Sequence, residues 1–126
     1  AITVETPLRI EVVFDILMPE AHFYLGFHFL SINRDCIFVT ASVPRKIQHG
    51  MYMSTCFVPG DILNNGIYTM DFYFVRDGNI VLYQMSDAIE FEVHDAGRIP
   101  GGWLGCFPGA VRPKLRWDIE SYKAVQ

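Results

Sequence analysis

The sequence predicts an all-β fold, and three observations support this prediction. Apolar and polar residues alternate with a period of two along several segments, which is typical of half-buried strands. Turn residues separate these segments at short intervals, and Asp77-Gly78 between two apolar runs is typical of a hairpin. No segment carries a convincing helical pattern. The length of 126 residues predicts a single domain, and the strand pattern predicts a β-sandwich or β-barrel.

Eight strands are predicted in chain order. The first alternates cleanly, with Leu8, Ile10 and Val12 on one face and charged residues on the other. In the second strand, Tyr24 and His28 face away from the core. Turns interrupt the pattern at Ile32–Asp35, at Pro59-Gly60 and at Asp77-Gly78. The predicted strands are residues 8–17, 22–31, 36–43, 50–58, 67–75, 80–85, 89–93 and 115–120.

One short motif favours a sandwich over a barrel. Asn64, Gly66 and Tyr68 have the spacing of a tyrosine corner, in which the Tyr hydroxyl bonds to backbone near the start of a strand. An immunoglobulin domain would carry a cysteine two residues later, where this chain has Met70. The prediction is therefore an immunoglobulin-like antiparallel β-sandwich without a disulfide. The three cysteines are expected to be buried, free thiols in a reducing compartment.

Composition excludes several classes of function. The net charge of −4 argues against nucleic acid or an anionic membrane as the main partner. No apolar run approaches the roughly 20 residues that span a bilayer. No phosphate-binding loop is present, so no nucleotide cofactor is expected. His22 and His28 share a strand face but lie roughly 20 Å apart along it, too far to bind one metal ion. We predict no metal site and no cofactor.

A carboxylate pair leaves one enzymatic alternative open. Glu90 and Glu92 lie two residues apart, roughly 7 Å along a strand, which is within the range of glycosidase carboxylate pairs. A glycosidase, however, needs its two acids on opposite sides of the sugar, and these side chains point the same way. A hydrolase is therefore the weaker alternative, and we predict that the chain is not an enzyme.

Binding is the more promising function. If Asp77-Gly78 is a two-residue loop, Asp71 faces Gln84 and Tyr73 faces Leu82, on the side away from the core. With an immunoglobulin strand order, Tyr24 and His28 would project onto this face from a neighbouring strand. A phenol ring beside fixed carboxylate and amide groups suits a sugar, whose C–H faces stack on the ring while its hydroxyls form hydrogen bonds. The predicted carbohydrate-binding residues are Tyr24, His28, Asp71, Tyr73 and Gln84.

The second half of the chain carries a family resemblance. Asp87, Ile89, Phe91 and Val93 form a D-x-I-x-F-x-V strand that follows an L-x-x-G-x-Y turn. Residues 101–117, GGWLGCFPGAVRPKLRW, then match a pattern of Gly, Trp, Pro and Arg: G-W-x-G-x-x-P-G-x-V-R-P-x-x-x-W. With the opening strand included, the chain resembles the C-terminal domain of the ATPase subunit of bacterial O-antigen polysaccharide ABC transporters.

This resemblance implies a function, a set of partners and a location. The domain would bind the exported O-antigen polysaccharide without cleaving it, at the cytoplasmic face of the bacterial inner membrane. An ATPase module would precede it in the full subunit, which would work with a membrane subunit of the transporter in lipopolysaccharide biosynthesis. Residues 1–126 are then one β-sandwich domain excised from that ATPase. The alternative from another class is a domain that binds a protein partner by strand addition.

The C-terminal segment raises the question of self-association. In residues 115–120, Leu115, Trp117 and Ile119 share one face, which a sandwich has to bury. The preceding residues, 105–113, contain two prolines and are poorly suited to folding straight back. We therefore predict a homodimer that exchanges the C-terminal strand; the alternative is a monomer whose tail closes its own sheet. Residues 101–117 would form a hydrophobic cover, with Arg112 anchored by an acid or by carbonyl groups.

Overall fold

The computed structural model describes residues 1–97, 99–103 and 105–122. Five strands, all paired antiparallel, form one sheet in which the order is β2-β1-β4-β5 and β3 pairs with β1. Within these residue ranges there is no helix that is long and apolar enough to cross a membrane. The strands are β1 (Leu8–Ser31), β2 (Cys36–Ala41), β3 (Arg45–Val58), β4 (Gly66–Arg76) and β5 (Ile80–Val93).

Strand β1 links two layers. Its first part pairs with β3 from Leu8 to Phe23, and its last part pairs with β4 from Phe23 to Ser31. The pairing with β3 is irregular between Ile16 and Glu20, where the strand changes register. We call residues 8–22 with β3 the two-stranded layer, and residues 23–31 with β2, β4 and β5 the four-stranded layer.

Aromatic rings fill the space between the layers. Phe14 of the two-stranded layer lies 5.4 Å, centroid to centroid, from Phe74 of the four-stranded layer and 5.2 Å from Phe23. Phe29 and Met70 are almost completely buried, with 0% and 1% of their surface exposed. Burial of such side chains is the main favourable term in folding. The predicted antiparallel β-sandwich is confirmed.

The tyrosine corner is confirmed as well. The Tyr68 hydroxyl donates a hydrogen bond of 2.6 Å to the Asn64 carbonyl oxygen, and Tyr68 is buried. The Asn64 side-chain amide donates in turn to the carbonyl oxygens of Phe107 and Gly109, at 2.6 and 2.8 Å. The start of β4 is thereby joined to the glycine- and proline-rich segment that follows β5.

Several predicted boundaries were wrong. Residues 8–17 and 22–31 belong to one strand, because Pro19 lies at the register irregularity of β1 and not in a turn. Residues 80–85 and 89–93 are also one strand, since a bulge and not a turn separates them. The cysteines are free thiols, but Cys36 and Cys106 are exposed, in contrast to the prediction that all three are buried. Apolar neighbours in sequence do not ensure burial on a strand, where successive side chains face opposite sides.

The tail differs most from its prediction. Residues 115–120 are not a strand in the described chain, and Leu115, Trp117 and Ile119 are 68%, 89% and 99% exposed. The Lys114 amide donates to the Asp61 carbonyl oxygen, which holds the start of the tail at that loop. Alternation predicted an apolar face correctly, but a strand also requires a partner edge, and the tail pairs with none of the described strands.

The segment before the tail is anchored but does not cover the core. Arg112 forms an ion pair with Asp95 at 2.9 Å and lies 4.4 Å from the centre of the Phe107 ring, so the predicted anchoring of Arg112 is confirmed. Trp103 packs edge-on against Phe107, with ring centroids 5.2 Å apart. The prediction of a hydrophobic cover is nevertheless wrong for the single chain, because Trp103, Phe107 and Trp117 are 58%, 44% and 89% exposed.

Candidate functional site

The structure brings four of the five predicted site residues together on the outer face of the four-stranded layer. His28 of β1 lies opposite Asp71 of β4, and Tyr73 lies opposite Gln84 of β5. The His28 and Tyr73 rings are 4.8 Å apart at an angle of 42°. Tyr24 is on the same face but farther along β1, about 13 Å from His28 at 3.3 Å per residue.

The predicted register of the β4–β5 hairpin was wrong. The loop contains three residues, Asp77 to Asn79, and Arg76 pairs with Ile80. A further irregularity between Phe74 and Val75 shifts the register again, so Gln84 lies opposite Tyr73 and not opposite Asp71. The total shift at Gln84 is two residues. Because side chains alternate with a period of two, Gln84 remains on the predicted face.

Asp71 faces a bulge in β5. The pairs on either side of it are Met70 with Ile89 and Phe72 with Met85, so three residues of β5 span the position of one residue of β4. Such a bulge frees backbone groups from the ladder. The Asp71 carboxylate compensates for one of them, because its Oδ1 accepts a hydrogen bond of 2.9 Å from the Asp87 amide.

The Asp71 side chain is buried and fully engaged, contrary to prediction. Only 3% of the residue is exposed, and its second oxygen, Oδ2, accepts a hydrogen bond of 2.5 Å from Arg34 Nη2. The sequence analysis placed Asp71 on the correct face but treated it as an exposed group. Neighbouring strands on both sides, together with Arg34 above, remove the carboxylate from water.

Three residues close to Asp71 were not identified from the sequence as site residues. Arg34 lies in the turn between β1 and β2, with a left-handed φ of 65°, and its amide donates to the Ser31 carbonyl oxygen. Its Nη1 donates to Asp87 Oδ1 at 2.7 Å, and the Thr69 hydroxyl lies 3.2 Å from the same oxygen. We call Arg34, Thr69, Asp71 and Asp87 the Arg34 cluster. Asp87 begins the D-x-I-x-F-x-V pattern, whereas no sequence signal distinguishes Arg34.

Electrostatics favour the charged forms in this cluster. Burial by itself raises the pKa of Asp71. The opposing effects are stronger: the hydrogen bonds from the Asp87 amide and from Arg34, and the charges of Arg34 and His28. The pKa of Asp71 is therefore below its ordinary value of 3.8. The hydrogen bond to Asp71 is the main reason that the pKa of Arg34 is raised. The ion pair therefore persists at neutral pH.

The face is suited to a flat, hydroxyl-rich ligand. Tyr73 and His28 are half-buried, so their rings are held by neighbours while one side is accessible. Gly26 lies opposite Tyr73 and leaves that position on the face without a side chain. Rings of this kind pack against the C–H faces of a sugar, and the fixed donors and acceptors beside them bind hydroxyls. Among the described residues no group of three potential metal ligands occurs.

The carboxylate pair of the hydrolase alternative lies at the edge of this face. Glu90 is opposite Thr69 and Glu92 is opposite Ile67, so both side chains project from the same side of β5. The two acids are thus neighbours along one strand and do not face each other across a cleft. This geometry is unsuited to glycosidic cleavage, which needs an acid on each side of the scissile bond.

The fold defines the chain as an all-β, immunoglobulin-like β-sandwich domain. The crystal structure of the C-terminal domain of Wzt has a similar fold, with a TM-score of 0.69 over 97% of this chain and 74% of that chain. This similarity confirms the resemblance that the motifs predicted. Because the two sequences are only 15% identical, the similarity concerns the fold. No protein-family model matches the chain, and no curated protein sequence matches it.

Proposed function

We propose that this chain is a non-catalytic carbohydrate-binding domain that recognises the polysaccharide exported by a bacterial ABC transporter. The observation that supports this most directly is the outer face of the four-stranded layer. There the Tyr73 and His28 rings, 4.8 Å apart, lie beside the hydrogen-bonded Arg34 cluster and Gln84. The fold similarity to the C-terminal domain of Wzt and the motif resemblance support the same function.

The proposed biological setting follows from the family resemblance. The domain would be the C-terminal part of an ATPase subunit of an O-antigen exporter, joined to an ATPase module and working with a membrane subunit. It would meet its glycan at the cytoplasmic face of the inner membrane. The domain itself would select the polymer, and ATP hydrolysis by the preceding module would drive export.

A titration with the polysaccharide of the source bacterium tests the binding function. We expect saturable chemical-shift changes in the NMR signals of His28 and Tyr73, and no shortening of the polymer. Cleavage of the polymer would favour the hydrolase alternative instead. Failure to bind any native glycan of the source bacterium would refute the proposal.

A variant tests the location of the site. Tyr73→Ala should weaken binding by about 1–3 kcal/mol, or roughly 5- to 150-fold, because a stacking ring that excludes water is lost. Tyr122→Ala is the matched control, since Tyr122 is 91% exposed on the tail. Wild-type affinity of Tyr73→Ala would move the site to the outer face of the two-stranded layer, where Arg9, Glu11 and Asp15 project.

We also propose that the domain forms a homodimer by exchange of the C-terminal strand. The two-stranded layer has too few strands to cover the four-stranded layer: Tyr83, Met85 and Ile89 on the inner face of β5 are 44–47% exposed. They border an apolar groove of about 520 Å³ whose opposite wall is formed by residues 10–16 of β1. Among the described strands only β3 pairs with that part of β1, so its other edge is free.

The tail of a second copy has the features needed to fill this groove. Its exposed apolar residues, Leu115, Trp117 and Ile119, alternate with charged ones, as in a strand with one buried face. Paired with the free edge of β1, such a strand would cover β5 and would satisfy backbone groups that are otherwise unpaired. The chain would cross from one copy to the other after Lys114, whose amide is held by the Asp61 carbonyl oxygen of its own copy.

Light scattering after size-exclusion chromatography tests the exchange. We expect a dimer for the full chain and a monomer after deletion of residues 114–126. Replacing Leu115, Trp117 and Ile119 with serine should have the same effect, whereas serine at Arg116, Asp118 and Glu120 on the opposite face should leave the dimer intact. A truncated protein that stays folded and dimeric would contradict the exchange.

A further inference from the structure

The outer face of the four-stranded layer has an unbalanced charge. Four carboxylates belong to it: Asp71, Asp87 and, at its edge, Glu90 and Glu92. Among the residues that the structure describes, Arg34 supplies the guanidinium that contacts Asp71 and Asp87. His28 lies opposite Asp71 and beside this cluster. Because the carboxylates of the face outnumber the guanidinium among the described residues, the face is negative.

Within this face, the capacity to bind a ligand is unevenly distributed. Both oxygens of Asp71 already accept hydrogen bonds, and the side chain is only 5% exposed, so a sugar cannot reach it without breaking the cluster. The Arg34 side chain is 49% exposed, and a guanidinium has five N–H donors, of which two are used here. Asp87 is 67% exposed, and its two protein contacts are to Oδ1, which leaves Oδ2 available.

We propose that Arg34 and Asp87 contact the sugar directly, that Asp71 positions Arg34, and that the site selects an uncharged sugar over a uronic acid. This inference rests on the proposed function and specifies its ligand class. A fixed donor beside a fixed acceptor matches two hydroxyls of one sugar ring, each of which can donate and accept.

A carboxylate on the sugar would be disfavoured for two reasons. It would approach Asp87 and Glu90, and like charges repel. The charge of Arg34 is already shared by Asp71 and Asp87, so the guanidinium would offset this repulsion only in part, even through its free N–H donors. An uncharged sugar can use the same free donors without bringing a further negative charge to the face.

A matched pair of polymers tests the selectivity. The probes are the polysaccharide of the source bacterium and the same polysaccharide after selective oxidation of its primary hydroxyls to carboxylates. We expect the oxidised polymer to bind at least about 10-fold more weakly at low ionic strength, and this difference to shrink in about 1 M salt, where the Debye length is near 3 Å.

Variants identify the groups responsible. Glu90→Gln should narrow the difference between the two polymers, whereas Asp15→Asn, which makes the same change in net charge on the other layer, should not alter it. Arg34→Gln and Asp87→Asn should each weaken binding of the native polymer. Asp71→Asn should weaken binding in the wild-type background and have no further effect in Arg34→Gln, since Asp71 acts through Arg34; further weakening there would overturn the positioning role.

The outcomes separate this inference from the proposed function. Equal or tighter binding of the oxidised polymer overturns the selectivity for uncharged sugars and leaves the carbohydrate-binding function intact. Wild-type affinity of both Arg34→Gln and Asp87→Asn overturns their role as sugar contacts, again without affecting the function. If neither polymer binds, the proposed function and the inference fall together.

Discussion

The two halves of β1 show how much neighbouring strands determine burial. Leu30 and Leu17 are the same residue type on the outer side of the same strand, yet Leu30 is 5% exposed and Leu17 is 77% exposed. Leu30 lies where β1 has β2 on one side and β4 on the other. Leu17 lies at the register irregularity, in the part of β1 that pairs with β3 alone. Apolar and polar residues alternate in both halves of β1, so the difference in burial comes from the number of neighbouring strands.

The number of neighbouring strands also distinguishes the proposed binding face from the proposed dimer surface. Between β1 and β5 the four-stranded layer has enough neighbours to bury a carboxylate, Asp71, and to hold rings and donors in place. The two-stranded layer has a free edge and faces uncovered apolar residues of β5. A fully paired layer can therefore support a precise polar site, whereas an incomplete layer offers an apolar surface to another strand.

The largest expected effect on stability comes from the same substitution, leucine to alanine, in the two halves of β1. Leu30→Ala should lower the free energy of unfolding by about 2–5 kcal/mol, because a buried side chain leaves a cavity. Leu17→Ala should change it by less than about 0.5 kcal/mol, as is usual for exposed positions. Urea denaturation of both variants measures the difference. Equal effects would mean that Leu17 is also buried, for example in a dimer, which dilution would reveal.

Removal of the buried carboxylate should have the next largest effect. Asp71→Ala should cost about 1–3 kcal/mol of stability, because the Asp87 amide loses its acceptor. Asp15→Ala, on the outer face of the two-stranded layer, is the matched control and should be close to neutral. Thermal or urea unfolding measures both changes. A neutral Asp71→Ala would show that water replaces the carboxylate and that the Arg34 cluster is not rigid.

The tyrosine corner should contribute less. Tyr68→Phe removes the hydroxyl that donates to the Asn64 carbonyl oxygen, and we expect a loss of about 1 kcal/mol. The control is Tyr122→Phe, which deletes a hydroxyl from an exposed ring and should leave stability unchanged. Denaturant midpoints compared at constant m-value measure the effect. A loss no greater than that of the control would show that the corner is not held by this bond.

The smallest expected effect is a dependence on pH. Because the pKa of Asp71 is lowered in the folded protein, its ionised form adds stability above the ordinary value of 3.8, and this stability is lost as the pH falls through the lowered pKa. The stability difference between wild type and Asp71→Asn should therefore be constant near neutral pH and shrink below about 3.8. In an Arg34→Gln background, acidification should reduce this stability difference less. A difference that persists unchanged in acid would contradict the lowered pKa.

Much of the fold could be predicted because it depends on local chemistry. Alternation along residues 8–17 and 22–31 identified the inward faces, and the spacing of Asn64, Gly66 and Tyr68 identified the corner that joins β4 to its preceding loop. The outward face of Tyr24, His28 and Tyr73 was predicted for the same reason, since a strand with one buried face turns every second residue away from the core.

Register and long-range pairing could not be predicted in this way. One extra loop residue after Asp77 and one irregularity in the β4–β5 pairing, between Phe74 and Val75, moved Gln84 from Asp71 to Tyr73. Arg34 meets Asp71 and Asp87 across 37 and 53 residues of chain, and no local pattern records such a meeting. Its turn conformation, with a left-handed φ, likewise becomes evident only in the folded chain.

By itself, the sequence determined that the chain is an all-β sandwich, which residues face its core, and that the tail has an apolar side. These features follow from periodicity and turn chemistry, which act over a few residues. The tertiary structure alone decided that Asp71 is buried, that Arg34 and Asp87 join it, and that residues 115–120 pair with none of the described strands. Burial and pairing depend on which strands become neighbours, and that is a property of the whole folded sheet.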